Sequence, residues 1–258
     1  LRRLLGDGAL NGRRFLDVGC GSGVHSVAAL KLGAQAVFAF DVDAESVAAA
    51  REVLERYAGT TGAWQVEQAD LFELDPGEVG LFDVVYAWGV LHHTGRLWDA
   101  VRHTAGFVTP GGLLAMALYR RTWLCPLWRL EKSFYARSAA GVQAAVRGIY
   151  LGCFFARLLV TGRSPWRYVR SYSRNRGMDF YRDIHDWLGG WPYESTTAAE
   201  VESAMRELGF VRVRSFVRSG RFFGKDLGLF GSGCDGYVYA RPGLAESRVE
   251  ALPAKGVG

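Results

Sequence analysis

The chain has 258 residues, 49% of them hydrophobic, and 31 Lys/Arg against 26 Asp/Glu leave a formal net charge of +5. That length suits one large α/β domain or a domain with a sizeable insertion, and the composition supplies a full core, which excludes a disordered or low-complexity chain. Four scattered cysteines, at 20, 125, 153 and 234, form no C-x-x-C pair and have no histidine at zinc spacing; they exclude a disulfide framework or zinc module and fit reduced thiols in a cytosolic protein with no metal site.

In chain order, residues 14–18 are apolar enough to be a buried strand. They run straight into a glycine-rich turn, Phe-Leu-Asp-Val-Gly-Cys-Gly-Ser-Gly over 15–23, and a short helix over 26–32 ends at Gly33. Glycines at 19, 21 and 23 let the backbone approach a ligand closely. A dinucleotide fold wants G-x-G-x-x-G, which would put a glycine where Val24 stands. The pattern here is D-x-G-x-G-x-G, headed by Asp17. An acid at that place can bind an ammonium group and would repel a pyrophosphate, so a cofactor with an amino-acid end fits better than one with phosphates.

Further strands are expected at 36–40, 63–68, 82–86 and 113–118, with helices at 44–57 and 96–108, the latter closed by Thr109-Pro110-Gly111-Gly112. Strand, helix, strand at this spacing means right-handed crossovers and a parallel sheet with helices on both faces. The alternation stops over 119–195, which is rich in Arg, Trp, Tyr and Phe, with one long helix at about 139–159 and then a polar, arginine-dense segment. Regular structure resumes with a capped helix at 196–208 and strands at 210–217 and 236–240, close enough together for an antiparallel finish to the sheet. The predicted fold is thus α/β and Rossmann-like. It has a seven-stranded, mostly parallel sheet, with a largely helical insert after the fifth strand. Residues 1–118 and 196–241 form the core, 119–195 the insert and 242–258 a mobile tail.

The charge is concentrated in the insert. Residues 119–198 carry thirteen Lys/Arg and five Asp/Glu, so an approximately neutral core bears a basic insert, which is either a solvated surface or a site for an anionic partner. The longest apolar run, 149–160, is broken by Arg157 and is too short to span a bilayer, so no transmembrane segment is expected. The sequence runs almost at once into the first strand, so no signal peptide and a cytoplasmic location are expected.

Four motifs in this order resemble the class I S-adenosylmethionine-dependent methyltransferases, over about 12–118 and 196–241. The resemblance implies S-adenosyl-L-methionine as cofactor. The loop of Asp17, Gly19, Cys20, Gly21 and Gly23 would wrap its methionine end, with the acid helping to hold the amino group. Asp41, closing the second strand in Phe-Ala-Phe-Asp-Val-Asp, can accept two hydroxyl hydrogens and suits a ribose diol. Val42 would lie on the adenine face, and Asp43 reads as an N-cap. Asp70 resembles the acid that accepts from the adenine amino group, with Leu71 supplying a backbone amide. Ala87 and Trp88, at the end of the fourth strand, should touch the cofactor.

The same segment continues Gly-Val-Leu-His-His-Thr-Gly, between cofactor and substrate. His93 or His92 is the expected base or substrate-orienting group, with Tyr119 near by; Asp83 reads as structural. There is no Asn-Pro-Pro-Tyr segment after the fourth strand, against an exocyclic-amine DNA or glutamine methyltransferase, and no catalytic cysteine pair for cytosine-C5 chemistry. The insert is where this family commonly grows a substrate lid. Its Asp-Trp-Leu-Gly-Gly-Trp-Pro-Tyr-Glu stretch is similar to a segment found in a group of bacterial methyltransferases. Asp186, Trp187, Trp191, Tyr193 and Glu194 are candidates for substrate contact, the other reading being a hydrophobic cluster closing the lid. Residues 139–162 read as a lid helix in preference to a helix lying on lipid. The expected activity is methyl transfer at oxygen to a small molecule, for which the basic insert suits an anionic one. The alternatives are an RNA or polypeptide methyltransferase that uses the arginines to hold an anionic macromolecule, and a non-catalytic binding module. The oligomeric state is left open.

Overall fold

The computed structural model describes residues 1–58, 63–176, 179–217, 228, 229, 231 and 233–243; the expected tail lies, beyond residue 243, outside them. The elements are α1 Arg2–Leu5, β1 Arg14–Val18, α2 Val24–Lys31, β2 Ala36–Asp41, α3 Ala44–Ala58, β3 Trp64–Gln68, α4 Pro76–Val79, β4 Phe82–Trp88, α5 Leu97–Gly106, β5 Val108–Tyr119, α6 Cys125–Arg137, α7 Ala140–Val160, α8 Pro165–Arg176, α9 Phe180–Gly189, α10 Ala198–Glu207, β6 Val211–Phe216 and β7 Cys234–Ala240. Short 3-10 turns cover Leu71–Glu73 and Leu91–His93. The chain divides into two compact units, and Arg121–Glu194 falls in the second.

The first unit is built on a seven-stranded sheet in the order β3-β2-β1-β4-β5-β7-β6. β1 to β5 run parallel, while β7 pairs antiparallel with both β5 and β6. The side-chain period of two sends successive residues to opposite faces. Phe15, Val84 and Tyr86 join α2 and α3 in one core; Leu16, Val85 and Ala87 join α5 and α10 in the other. The chain leaves β1 towards β2 on one side and returns to β4 on the other. The carboxyl ends of β1 and β4 therefore flank the topological switch point, where open α/β sheets bind ligands. The start of α10 is set by a capping box in which Thr197 and Glu200 satisfy each other's backbone N–H groups.

One expected boundary is corrected. Thr109-Pro110-Gly111-Gly112 does not close a helix but lies inside β5, which begins at Val108 paired with Phe82. Gly111 N–H donates to the Arg241 carbonyl at 2.8 Å and Arg241 N–H to that of Gly112 at 2.9 Å. A register shift between Phe82 and Val84 leaves room for a proline that cannot donate to the ladder.

The second unit is helical: α6 to α9 pack around Tyr135, Tyr172, Phe180, Ile184 and Leu188. Sequence periodicity suggested one helix here, because the arginines of α8 obscure its inward residues, Tyr168, Val169 and Tyr172. α7 is also longer than its apolar run. Gly141, Ala144, Ala145 and Gly148 extend it to 21 residues, and by length and composition it could cross a membrane.

Candidate active site

The loop between β1 and α2 takes the left-handed conformation at all three of its glycines, with φ of 65°, 51° and 72° at Gly19, Gly21 and Gly23. They are glycine for two distinct reasons. A Cβ at Gly19 would come within 2.5 Å of a Val90 methyl, and one at Gly23 within 3.0 Å of the Ala50 backbone. A Cβ at Gly21 would project into open space. The first and third glycines serve packing; the middle one leaves a face of the loop open to a ligand. Cys20 ties the loop to β2 through its N–H and the Phe40 carbonyl, at 2.9 Å. Its thiol is buried, and burial together with the charges of Asp17 and Asp41 pushes its pKa up to about 12, so it is no nucleophile at neutral pH.

Asp17 is buried on the α2 side of the sheet, opposite Tyr86 in register, and accepts a 2.6 Å hydrogen bond from the Ser26 hydroxyl. Burial pushes its pKa up to about 7, with Ser26 opposing and Asp41 adding to the rise. Asp41 accepts from the N–H groups of Gly21 at 2.9 Å and Asp43 at 3.1 Å, one on each carboxylate oxygen. A carboxylate has further lone pairs, so both oxygens keep capacity for hydroxyl donors. Asp43 caps α3 by accepting from Ser46 N–H at 2.9 Å. Beside these acids Val42 is 67% exposed, an apolar platform next to an acceptor. Asp70, itself exposed, caps the turn that begins at the buried Leu71, accepting from Phe72 N–H at 2.9 Å. Open glycine backbone, an acceptor with spare lone pairs and an exposed apolar surface fit the three parts of S-adenosylmethionine.

At the end of β4 the two expected contacts part company. Trp88 is exposed and stacks on Tyr86 at 5.6 Å, while Ala87 is wholly buried in the α5 and α10 core. Val90 then packs against Gly19, and the next turn carries both histidines. His92 is 1% exposed, with its ring centroid 3.8 Å from that of Tyr119 and 4.5 Å from that of His93. His93, half-buried, meets the Tyr119 ring edge-on at 5.2 Å. The cluster thus exposes His93 in preference to His92. Asp83 serves the framework, accepting from Arg14 N–H at 2.9 Å.

The five insert candidates lie in the second unit. Trp187 has the Lys132 ammonium 3.6 Å from its ring centroid, and that ammonium donates to the Trp187 carbonyl. Tyr193 is buried with its hydroxyl 3.2 Å from Cys125 Sγ, and its ring lies 6.4 Å from that of Trp187. Arg137 approaches the Trp191 ring at 5.8 Å. Asp186 is exposed and Glu194 partly so, and what burial Asp186 has raises its pKa against the pull of Arg182 and His185. Trp187 and Tyr193 therefore form a packed wall; Asp186, Trp191 and Glu194 sit at less enclosed positions.

Sequence reading did not foresee Ser26, Val90 or the Arg120–Asp235 pair, 3.4 Å apart at the junction of β5 and β7. Ser26 lies in the first turn after the glycine loop, a spacing that could have suggested it. The pair joins residues 115 apart in sequence and carries no local signal.

Residues 16–114 match a family profile described as a methyltransferase domain. Among curated proteins, the chain is 39% identical over 117 residues to the tRNA U34 carboxymethyltransferase of Methylococcus capsulatus, covering 45% of this chain and 35% of that one. It is 35% identical over 120 residues to the ubiquinone biosynthesis O-methyltransferase of Rhodopseudomonas palustris, covering 44% and 42%. The chain therefore spans less than half the length of these relatives. In fold it is similar to an S-adenosylmethionine-dependent methyltransferase from Mesorhizobium loti (TM-score 0.53, 20% identity, 93% of this chain and 95% of that one). It is also similar to a magnesium protoporphyrin IX methyltransferase from Synechocystis solved with S-adenosylhomocysteine (TM-score 0.53, 16% identity, 91% and 76%).

Proposed function

We propose that this chain is a class I S-adenosylmethionine-dependent methyltransferase, as the match of residues 16–114 to a methyltransferase domain supports, and that it methylates a small-molecule acceptor at oxygen. The observation that carries the acceptor chemistry is the cluster of His92, His93 and Tyr119, immediately after the Val90 contact with the cofactor loop. The cofactor, when bound, supplies a methyl group already activated on a sulfonium, so the protein's main work is in-line positioning. Asp17 and the backbone around Gly21 hold the amino-acid end, Asp41 the ribose, and Val42 with Asp70 and Leu71 the adenine; Trp88 walls the strand end.

An acceptor hydroxyl must also lose its proton. Histidine titrates near neutrality, and His93 is the partly open member of the cluster, so it takes that proton. His92 and Tyr119 fix its ring from behind and from the side. None of the four cysteines is in a disulfide, which fits a reducing compartment, and we place the chain in the cytoplasm.

The test is to incubate the protein with labelled S-adenosylmethionine and a metabolite extract and to follow the product mass shift. His93→Ala should lower turnover by roughly 10²–10⁴-fold while leaving the cofactor Kd within about twofold; an unchanged rate removes the base role. Failure to bind the cofactor in calorimetry removes the enzymatic reading altogether. Label appearing in RNA, with a rate that falls steeply as salt rises, would transfer the assignment to a macromolecular acceptor, as the name of the tRNA-directed relative would suggest.

A further inference from the structure

Surface helices normally carry several charges on their outer face; α7 carries one. Its inner stripe, from Val146 and Tyr150 to Phe154 and Leu158, packs within the second unit. Arg147 also turns inward and donates to the Tyr135 hydroxyl at 2.7 Å. The outer positions, among them Ala145, Gly148, Ile149, Gly152, Ala156 and Val160, are exposed, and Arg157 is the single charged residue of that face. Ile149 is 70%, Leu159 64% and Val160 88% exposed. An apolar face of this length lying open to water marks an interaction site.

The surrounding charge says what kind. From residue 132 to residue 178 the sequence has nine Lys/Arg and no Asp/Glu. Just past the end of α7, Arg163, Arg167, Arg170 and Arg174 fall at i, i+4, i+7 and i+11, and all are exposed. Trp166, 69% exposed, lies among them with the Arg170 guanidinium 5.5 Å from its ring. Apolar surface with an adjoining arginine stripe and an exposed tryptophan matches an anionic bilayer interface, with acyl chains beneath phosphate headgroups. Nucleic acid would use the arginines and leave the apolar face bare. A bilayer-crossing α7 would have to strip its inner stripe from α6, α8 and α9. We propose that this protein docks peripherally on anionic phospholipid membranes, with the outer face of α7 in the interface and Arg163 together with the arginines of α8 on the headgroups. The proposal does not depend on methyl transfer.

The full chain should float with vesicles containing phosphatidylglycerol, bind pure phosphatidylcholine vesicles far more weakly, and release as salt rises. Arg163→Gln with Arg167→Gln and Arg170→Gln should weaken binding on the order of a hundredfold, at roughly fivefold per arginine. Ile149→Glu with Leu159→Glu should weaken it at least about tenfold. Unchanged thermal unfolding checks that both variants fold. Cys153 lies exposed on α7, so an environment-sensitive dye there, in a Cys234→Ser background, should shift to the blue on vesicle addition. Four results would overturn the proposal: no vesicle binding; binding to both vesicle types that ignores the α7 substitutions; RNA binding that depends on the arginines alone; or self-association through α7 without lipid. Membrane retention in alkaline carbonate would also overturn it, by making α7 a span.

Discussion

Asp17 is a carboxylate held where carboxylates are rarely left. It is almost without solvent, has one hydroxyl partner and lies near a second acid, and burial lifts its pKa from 3.8 to about 7. The unfolded chain loses this proton near pH 4, so between about pH 4 and 7 the folded state holds more protons, and Asp17 makes the fold less stable as pH rises through that window. An arriving ammonium group offsets that cost by pairing with the ionised form. Cofactor binding should therefore tighten by up to about tenfold per pH unit between pH 5 and 7 and level off above 7. Calorimetry across this range should show the slope in the native protein and a flat profile in Asp17→Asn. A native profile already flat would mean that Asp17 supports the loop through Ser26 and never meets the cofactor.

The loop joining β1 to α2 separates packing from binding within five residues. Gly19→Ala places a methyl against Val90 on left-handed backbone and should cost roughly 1–3 kcal/mol of stability. Gly21→Ala meets no neighbour, so it should lose about 1–2 kcal/mol from backbone strain alone yet weaken cofactor binding more than Gly19→Ala does. Denaturant unfolding and calorimetry measure the two losses separately. Equal cofactor affinity in Gly21→Ala and the native protein would show that the open side of the loop is not where the ligand lies. At this scale the sequence was a good guide where signals are local. Glycine spacing located the turn, and the capped helix expected from residue 196 begins within two residues of that, behind its Thr197 cap. It misled at Thr109-Pro110-Gly111-Gly112, where the partners that make these residues a strand, Phe82 and Arg241, lie far along the chain.

In the whole molecule, two units each close a core of their own. Cofactor at about 100 times its Kd should add about 2.7 kcal/mol to the opening free energy of the sheet amides, and leave those of α6 to α9 unchanged. Hydrogen exchange reads this directly; an equal rise in both units would show that they unfold as one. The sequence by itself determined the seven strands of the first unit with the helices α2, α3, α5 and α10, the glycine loop and the acids at the ends of β1 and β2, because periodicity, turn chemistry and strand-end position are properties of short segments; the one-turn helices α1 and α4 are too short to carry a period. Only the tertiary structure decided that Asp17 is buried against Ser26, that His92 is enclosed while His93 stays partly open, and that α7 turns a face with a single charge, Arg157, to solvent. Burial depends on what long-range neighbours cover, and no local pattern encodes that.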